Sequence, residues 1–183
     1  MTELPAVRAA HTYELTAAVR DEIRTLLDTA FDGDFGDDDW EHALGGVHAL
    51  VRDTGGLLVA HGSIVQRRVL HDGRSLRAGY VEAVAVRPGR RRQGLGHRVM
   101  GALERVVDGA YEFGALSASD AGAALYAARG WQVWPGGLAA LGPDGTVALP
   151  EEEGSTYVRP AAGHALPAAA HPLVFDWRDG DLL

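Results

Sequence analysis

A strand, a turn and a helix entry follow one another without interruption in residues 80–96. Residues 81–86 are mostly apolar, which predicts a buried strand, and Pro88-Gly89 ends it. Cationic positions then lead into a helix that is entered through Gly94 and Gly96. Glycine lets a backbone approach a ligand closely, and the N–H groups and dipole at a helix start favour phosphate. The segment therefore predicts a pyrophosphate-binding loop.

Two common phosphate-binding motifs are excluded by what this loop lacks. A Walker loop needs Gly-Lys-Ser/Thr, and all 17 Lys and Arg residues of this chain are arginine. A dinucleotide fingerprint needs G-x-G-x-x-G at the helix start and an acidic residue further on, and neither is found here. The pattern Arg91-x-x-Gly94-x-Gly96 resembles the acetyl-CoA loop of the GNAT superfamily of N-acetyltransferases. The alternative is a surface turn with a solvated arginine cluster.

A second motif lies downstream, in residues 119–131. Ser119 is a good N-cap, Asp120 suits the first turn, and Gly130 is placed to end a short helix that carries Tyr126. An alanine-rich helix of this form resembles the one in GNAT enzymes that brings a tyrosine hydroxyl towards the CoA sulfur. Taken alone, a tyrosine on a helix is more often part of the core than a catalyst.

Composition narrows the chemistry and the partners. With 183 residues and 46% hydrophobic content, the chain is expected to form one domain over residues 1–183. It shows neither an apolar leader nor a membrane-spanning stretch, so a soluble, cytoplasmic protein without membrane contact is expected. Without cysteine or lysine, thiolate metal sites, acyl-cysteine intermediates and Schiff bases are excluded, and no metal is expected. The net charge of −8 argues against nucleic acid, and it indicates either a requirement for solubility or, more specifically, a cationic acceptor.

Hydrophobic periodicity and turn residues predict a mixed α/β (α+β) chain. Thr16 caps the first helix, and a hairpin turn is expected at His71-Asp72-Gly73. Two further helices are predicted over residues 40–44 and 95–107. Strands are predicted near residues 6–12, 48–52, 57–67, 76–86, 113–116, 132–134 and 156–159, with a hairpin around 142–145 and an irregular connection over 160–172.

Carboxylates stand out in two places. One is a short segment after the first helix, which holds no basic residue and contains Asp32, Asp34, Asp37, Asp38, Asp39 and Glu41. Residues 37–39 are explained in part as the charged start of a helix, whereas Asp34 lies earlier, in a loop. The other is Glu82, inside an apolar strand, where an unpaired carboxylate would cost several kcal/mol. Glu82 is either a structural partner or, as we favour, a functional group beside the phosphate loop.

Further motifs extend the resemblance from Ala30 to the C-terminus. Together they are similar to the aminoglycoside 2'-N-acetyltransferase family: Gly33-Asp34-Phe35, Trp40-Glu41-His42, Leu44-Gly45-Gly46, His48-Ala49-Leu50, Gln66-Arg67-Arg68, Gly79-Tyr80-Val81-Glu82, Val84-Ala85-Val86-Arg87, Gly114-Ala115-Leu116-Ser117 and Asp176-Trp177-Arg178. The resemblance implies a GNAT fold with a mixed, mostly antiparallel, V-splayed sheet flanked by helices. It also implies acetyl-CoA as cosubstrate, a homodimer and a role in antibiotic resistance.

The same resemblance implies roles for individual residues. Glu82 would be the general base, acting through water, and Tyr126 the acid that protonates the departing thiolate. The backbone of Val84, Ala85 and Val86 would pair with pantetheine, and the pyrophosphate would be held by Arg91, Arg92, Gln93, Gly94, Leu95 and Gly96. The cationic antibiotic would be bound by Asp34, Asp39, Glu82, the Ala83 backbone, Ser117, Glu152, Asp181 and the terminal carboxylate of Leu183.

Elementary chemistry agrees with these roles. An ammonium group cannot attack a thioester, so a carboxylate near the acceptor both attracts the cation and takes its proton. With neither cysteine nor lysine available, direct attack in a ternary complex is expected. Other acceptors remain open at this point, namely another 2'-amino sugar antibiotic, a polyamine or a peptide amine. A non-catalytic domain that only binds acetyl-CoA is the alternative from a different class.

Overall fold

The computed structural model describes residues 6–183, which contain ten strands and four α-helices. The helices are α1 (Ala17–Ala30), α2 (Asp37–His42), α3 (Leu95–Ala110) and α4 (Asp120–Ala127). The strands are β1 (Val7–His11), β2 (Val47–Arg52), β3 (Leu58–His71), β4 (Arg74–Val86), β5 (Phe113–Ser117), β6 (Gln132–Val133), β7 (Leu138–Gly142), β8 (Gly145–Ala148), β9 (Thr156–Pro160) and β10 (Leu173–Phe175).

The described residues form two compact units. The first contains the described residues up to Val65 together with Val81–Arg105, and the second contains Gln66–Tyr80 together with Val106–Leu183. Strands β3 and β4 and helix α3 contribute residues to both. No helix in residues 6–183 is both long enough and apolar enough to cross a membrane.

In the first unit, α1 covers one side of an antiparallel β1-β2-β3 arrangement. The side-chain oxygen of Thr16 accepts a hydrogen bond from the Val19 N–H at 3.3 Å, as the predicted cap requires. Ile23, Leu26 and Leu27 are fully buried and belong to one core cluster with residues of β2 and β3. Their spacing of three and four residues is that of one helix face. The apolar periodicity therefore predicts this helix and its buried side correctly.

Helix α2 begins earlier than the sequence predicts. The structure starts it at Asp37, so the three aspartates at 37–39 lie in its first turn rather than before it. The Asp39 Oδ2 atom accepts a hydrogen bond from the Gly36 N–H at 2.7 Å. A carboxylate at this position satisfies an N–H group and complements the helix dipole, which moves the helix boundary towards the acidic residues.

Gly46 lies where the chain enters β2, in a position that only glycine fits. An added Cβ atom would stand 1.9 Å from the carbonyl oxygen of Ile64, which is a backbone atom of the neighbouring β3. The main chain is also fixed here, because the Gly46 carbonyl accepts a hydrogen bond from the Thr12 N–H at 2.9 Å. A side chain at residue 46 would therefore push two paired strands apart.

We expect Gly46→Ala to lower the free energy of unfolding by about 3 kcal/mol or more, since overpacking against backbone has no inexpensive relaxation. Urea-induced unfolding followed by circular dichroism measures this. The matched control is Gly109→Ala in α3, where an added Cβ meets nothing within 4 Å. That change is expected to raise stability by up to about 1 kcal/mol through helix propensity. Equal stability of the Gly46→Ala and wild-type proteins would contradict the close approach.

The second unit is built on the strand order β6-β9-β5-β4-β3-β10-β7-β8. The pairs β4–β5 and β7–β10 are parallel, whereas β3–β10, β5–β9, β6–β9 and β7–β8 are antiparallel. The prediction of a mixed, mostly antiparallel sheet with flanking helices is confirmed. The predicted turn between β3 and β4 is also found, with Asp72 and Gly73 at φ 46° and 72°, as a two-residue hairpin turn of the primed type requires.

The periodicity of the sequence does not predict β10. This strand has only three residues, pairs antiparallel with Val69 and Leu70 of β3, and pairs parallel with Leu138–Ala140 of β7. Three residues are too few to show an alternating pattern. The connection between β3 and β7 in the sheet therefore depends on a C-terminal segment whose sequence resembles a loop.

Candidate active site

The predicted anion-binding loop is built as a left-handed turn in front of a long helix. Strand β4 ends at Val86, and α3 begins at Leu95 and runs for 16 residues. Between them, Arg92 and Gly94 have φ values of 63° and 75°. Side-chain-bearing residues rarely adopt this region, whereas glycine enters it without strain. Since the first N–H groups of a helix have no carbonyl partner within it, this end of α3 suits an anion.

The residues of the loop differ in what they offer to a ligand. Arg91, Arg92, Gln93 and Gly94 are exposed, whereas the Leu95 side chain is only 4% exposed. Leu95 could therefore contact a ligand through its backbone alone. The strand in front of the loop carries Val84 and Val86, which are half-buried, and Ala85, which is buried.

Several arginines around the loop are held by the protein itself. Arg91 Nη2 donates a hydrogen bond to the Ala30 carbonyl at the end of α1 at 2.9 Å, and its Nε donates to the Val86 carbonyl at 3.4 Å. Arg90 forms a salt bridge of 2.8 Å with Asp53. These contacts fix the path of the loop. Asp53 neutralises the charge of Arg90, whereas Arg91 donates to carbonyl groups and adds a favourable field for an anion. Arg92 is exposed at the strained position in the turn.

Strand β4 is irregular at the residue that follows Glu82. Glu82 is half-buried, and Ala83 has a φ of 50°, which is left-handed backbone inside a strand. Such a conformation costs an alanine about 1–2 kcal/mol and persists only where the surroundings impose it. The Ala83 carbonyl accepts a hydrogen bond from Nδ1 of His61 at 2.9 Å. The candidate base therefore stands beside a restrained, locally strained backbone.

Two buried histidines on neighbouring strands, His61 of β3 and His48 of β2, lie next to the irregular Ala83. The Nδ1 of His48 is 2.9 Å from the Nε2 of His61, and both side chains are fully buried. Burial lowers the pKa of His48 to about 4 and that of His61 to about 3, so both rings are neutral at neutral pH. Neither histidine is predicted from the sequence to have a role. Both lie in continuously buried parts of mostly apolar strands, and a polar ring in such a run could have indicated a buried, paired group.

The acidic segment after α1 is partly neutralised and partly structural. Arg24 of α1 forms salt bridges of 3.0 Å with Asp28 and Asp37, although the segment itself contains no basic residue. Asp39 caps α2 through its contact with the Gly36 N–H. Asp34 lies in the exposed loop, and its own N–H donates to the Phe31 carbonyl at 3.0 Å. Of the two residues proposed for substrate here, Asp34 has the more accessible position.

In the second unit, two predicted substrate residues are brought together. The Ser117 hydroxyl at the end of β5 donates a hydrogen bond to Glu152 Oε2 at 3.3 Å, and Ser155 donates to the same oxygen at 3.2 Å. Two hydroxyl donors orient the carboxylate while leaving it half-buried. Ser117 and Glu152 are 35 positions apart in the sequence. Only the resemblance to the family predicts them in the same site.

Tyr126 lies on α4 within an aromatic group. Its side chain is 8% exposed, and its ring centroid is 6.5 Å from that of Trp131 and 6.2 Å from that of Tyr157. Gly122 makes room for it, since an added Cβ would be 2.9 Å from the Tyr126 ring. Ser119 precedes the helix as predicted, but its side chain makes no capping hydrogen bond. The aromatic neighbours hold the ring in a fixed orientation.

Arg67 holds the C-terminal segment of the chain. This arginine is 3% exposed, and its guanidinium donates to the Asp176 carboxylate at 2.7 Å, to the Asp176 carbonyl at 2.5 Å and to the Leu182 carbonyl at 2.6 Å. The Asp181 side chain is exposed, whereas that of Leu183 is buried. Trp177, 45% exposed, lies against the β7–β8 hairpin.

No group of three or more His, Cys, Asp or Glu side chains in residues 6–183 is arranged to hold a metal ion. The first unit contains an anion-binding helix start beside Glu82, and the second contains the Ser117–Glu152 pair and the Tyr126 ring. A helix start of this kind suits phosphate, and carboxylates and phenols are groups that can transfer protons.

Comparison with known proteins agrees with this chemistry. A family model described as acetyltransferase (GNAT) domain matches residues 12–134. The aminoglycoside 2'-N-acetyltransferase of Mycolicibacterium fortuitum is 47% identical over 182 residues, which cover 98% of this chain and 92% of that protein. This similarity extends through the C-terminal segment, beyond the residues that the domain model matches.

Solved structures share the fold at low sequence identity. The GNAT family N-acetyltransferase YhbS from Escherichia coli, in complex with CoA, has a TM-score of 0.64 at 15% identity and covers 96% of this chain and 91% of its own. A GNAT family acetyltransferase from Brucella melitensis, in complex with acetyl-CoA, gives 0.58 at 15% identity, with coverages of 91% and 94%. A GCN5-related N-acetyltransferase from Kribbella flavida gives a TM-score of 0.58 at 19% identity. The match covers 73% of this chain and only 34% of the Kribbella flavida chain. The fold, the domain match and the near full-length identity show that this chain belongs to the aminoglycoside 2'-N-acetyltransferase family of the GNAT acetyltransferases.

Proposed function

We propose that this protein transfers the acetyl group of acetyl-CoA to the 2'-amino group of aminoglycoside antibiotics by direct attack in a ternary complex. The observation that carries the proposal is the continuous run from Glu82 through the left-handed Ala83 to the turn at Arg92 and Gly94. This run supplies a proton acceptor and an anion-binding helix start within one unit. The 47% identity to an enzyme of that name supports the choice of acceptor.

The residues of the loop fit the cosubstrate. The start of α3 and the exposed side chains of Arg92 and Gln93 would bind the pyrophosphate, together with the backbone at Gly94, Leu95 and Gly96. Arg91 would contribute its charge while bracing the loop against Ala30. The backbone of Val84, Ala85 and Val86 would pair with the pantetheine amides. When bound, acetyl-CoA supplies an acetyl group activated as a thioester.

Glu82 and Tyr126 would perform the proton transfers. The amine must lose a proton before its nitrogen can attack the thioester carbon, and Glu82 accepts that proton through water. As the carbon–sulfur bond breaks, the Tyr126 hydroxyl would donate its proton to the thiolate, and the second proton that the nitrogen loses on becoming an amide would restore the phenol. A phenol of pKa about 10 protonates a thiolate of pKa about 8.5 only when it is well placed, so the fixed orientation of the Tyr126 ring supports this role.

The remaining carboxylates would bind the ammonium groups of the antibiotic. Asp34 and Asp181 are exposed, and Glu152 is oriented by Ser117. Charge-assisted hydrogen bonds from ammonium to carboxylate orient as well as attract a polycation. Asp39 would add to the field while capping α2, and the Ala83 backbone and the terminal carboxylate of Leu183 would complete the set.

The test is CoA release from acetyl-CoA in the presence of two aminoglycosides that differ only in carrying an amine or a hydroxyl group at position 2'. Turnover with the amine alone is expected, and acetyl-CoA without acceptor gives the background. Equal turnover with both would move the reaction to another amine of the antibiotic. Turnover with neither, but with a polyamine or peptide, would replace the acceptor, and acetyl-CoA binding without any turnover would favour a binding domain.

A homodimer and antibiotic resistance belong to the same proposal, because the family resemblance implies both. A cytoplasmic location, expected from the composition of the sequence, is proposed with them. That residues 1–183 form one domain also belongs to it, and the continuity of β3 and β4 through both units supports it. Sedimentation equilibrium tests the dimer. Expression in a susceptible host, with the wild type compared with a Glu82→Gln variant, tests resistance.

A further inference from the structure

A hydrogen-bonded chain of side chains crosses the core of the first unit and ends on the backbone of Ala83. The Thr12 hydroxyl oxygen is 2.8 Å from His48 Nε2, His48 Nδ1 is 2.9 Å from His61 Nε2, and His61 Nδ1 is 2.9 Å from the Ala83 carbonyl oxygen. The four residues come from four separate segments, and both imidazoles are fully buried. Buried polar chains of this kind are costly unless every member is paired.

The direction of the protons in this chain follows from its last member. A carbonyl oxygen can only accept, so His61 carries its proton on Nδ1, and in a neutral ring its Nε2 is then an acceptor. His48 must therefore carry its own proton on Nδ1, and its Nε2 accepts from the Thr12 hydroxyl. Thr12 is held in turn by the Gly45 N–H, which donates to its oxygen at 2.9 Å. Both tautomers are thus assigned from the hydrogen-bond network.

The chain cannot conduct a proton to the reaction. A carbonyl does not accept a proton for onward transfer, and the lowered pKa values keep both rings neutral at neutral pH. Two apolar residues would fill the same space without the desolvation cost. What the chain does achieve is to fix the orientation of a single carbonyl.

That carbonyl belongs to the one residue of β4 that needs restraint. Ala83 is left-handed without being glycine, and it follows the candidate base directly. If its carbonyl were released, the backbone could relax towards a regular strand, and a change of one residue in strand register turns side chains to the opposite face. Gly62, next to His61, leaves room for neighbouring side chains, since an added Cβ would be 2.6 Å from the Val99 side chain and 3.2 Å from that of Val84.

We propose that His61, held in one tautomer by His48 and Thr12, is a positioning residue for acetyl transfer. It holds the left-handed Ala83 in place and thereby fixes the backbone from which the Glu82 carboxylate projects. This inference rests on the proposed function of Glu82 as the base. It gives two buried histidines, 13 residues apart in the sequence, a role that depends on neither of them touching a substrate.

The test compares His61→Leu, which removes the donor, with His61→Asn, whose side-chain amide can place an N–H near the position of Nδ1. His61→Leu is expected to lower kcat about 10- to 100-fold, the effect of a misplacement of about 1 Å, with KM for acetyl-CoA and amine within about twofold. His61→Asn is expected to recover most of the lost kcat. The kcat of His48→Leu is expected to lie between those of His61→Leu and His61→Asn. Leu26→Ala, in the same core, controls for destabilisation and is expected to keep wild-type kcat below its unfolding temperature.

Unchanged kcat in His61→Leu, no recovery in His61→Asn, or an equal loss in Leu26→Ala would overturn the inference. A second readout does not depend on activity. Amide hydrogen exchange is expected to accelerate at residues 82–84 in His61→Leu and to remain as in the wild type there in Leu26→Ala. Faster exchange in His61→Leu that is confined to residues 82–84 supports the positioning role even if the wild type acetylates no aminoglycoside. Exchange rates at these residues that His61→Leu leaves unchanged would refute it.

Discussion

Replacement of Glu82 by Gln is expected to lower kcat for aminoglycoside acetylation by about 100- to 10,000-fold, the usual contribution of a positioned general base. The amide has nearly the same volume and keeps hydrogen-bonding capacity, but it cannot accept the proton that the ammonium group must lose. KM for acetyl-CoA is expected to stay close to that of the wild type, because the loop at Arg91–Gly96 is unchanged. Steady-state CoA release measures both constants.

The pH dependence distinguishes loss of a base from loss of structure. The rate of the Glu82→Gln variant is expected to rise steadily between about pH 6 and about pH 9, because a growing fraction of the amine is already neutral in solution. The matched control is Glu22→Gln, which removes an exposed carboxylate that pairs with Arg52. Surface pairs contribute less than about 1 kcal/mol, so kcat of this control is expected to be unchanged. A Glu82→Gln variant with wild-type kcat would eliminate Glu82 as the base.

The second large effect is a loss of stability in mild acid. The pKa values of His48 and His61 are lowered by burial to about 4 and about 3, from about 6.5 in the unfolded chain. Below pH 6.5 the unfolded state therefore binds up to two more protons than the folded state. The contribution of the two neutral rings to the free energy of unfolding is therefore fully present above about pH 6.5 and is lost progressively as the pH falls towards about 4. The free energy of unfolding then changes with a slope that approaches about 3 kcal/mol per pH unit.

Urea unfolding at a series of pH values between about 7 and about 4 measures this slope. Asp108, whose pKa is lowered by its hydrogen bond to Arg159, loses its contribution only below its ordinary value of 3.8 and lies outside this window. His61→Asn removes one of the two groups and is expected to reduce the slope by about one proton. His164→Asn, at an exposed position, is expected to leave it unchanged. A wild-type protein equally stable at pH 7 and pH 5 would show that the two rings are not buried neutral.

The parts of the fold and site that follow from the sequence are those encoded by neighbouring residues. The end of β4, the left-handed Gly94 and the start of α3 lie within a dozen positions, and glycine, proline and periodicity report on them directly. The same holds for the β3–β4 turn at Asp72-Gly73 and for the cap at Thr16. Each of these features is decided by backbone preferences that act over one or two turns of chain.

The features that the sequence does not reveal depend on distant residues. The Arg91 side chain meets the Ala30 carbonyl, 61 positions away, and no local pattern shows that the arginine braces the loop. His48 and His61 acquire their contact only when β2 and β3 pair in register. For Asp39, the sequence allows two roles, because the same carboxylate could cap a helix or bind a substrate. In the structure it accepts a hydrogen bond from the nearby Gly36 N–H and caps α2.

Tryptophan exposure gives the C-terminal segment its own optical signal. Of the four tryptophans, Trp131 and Trp134 are 2% and 3% exposed and Trp40 is half-buried, whereas Trp177 is 45% exposed and lies four residues before Asp181. A small neutral quencher in solution therefore reaches Trp177 far more readily than the two core indoles. An antibiotic that binds to this segment would change the quenched fraction of the emission, so ligand binding can be titrated by intrinsic fluorescence without acetyl-CoA or any turnover.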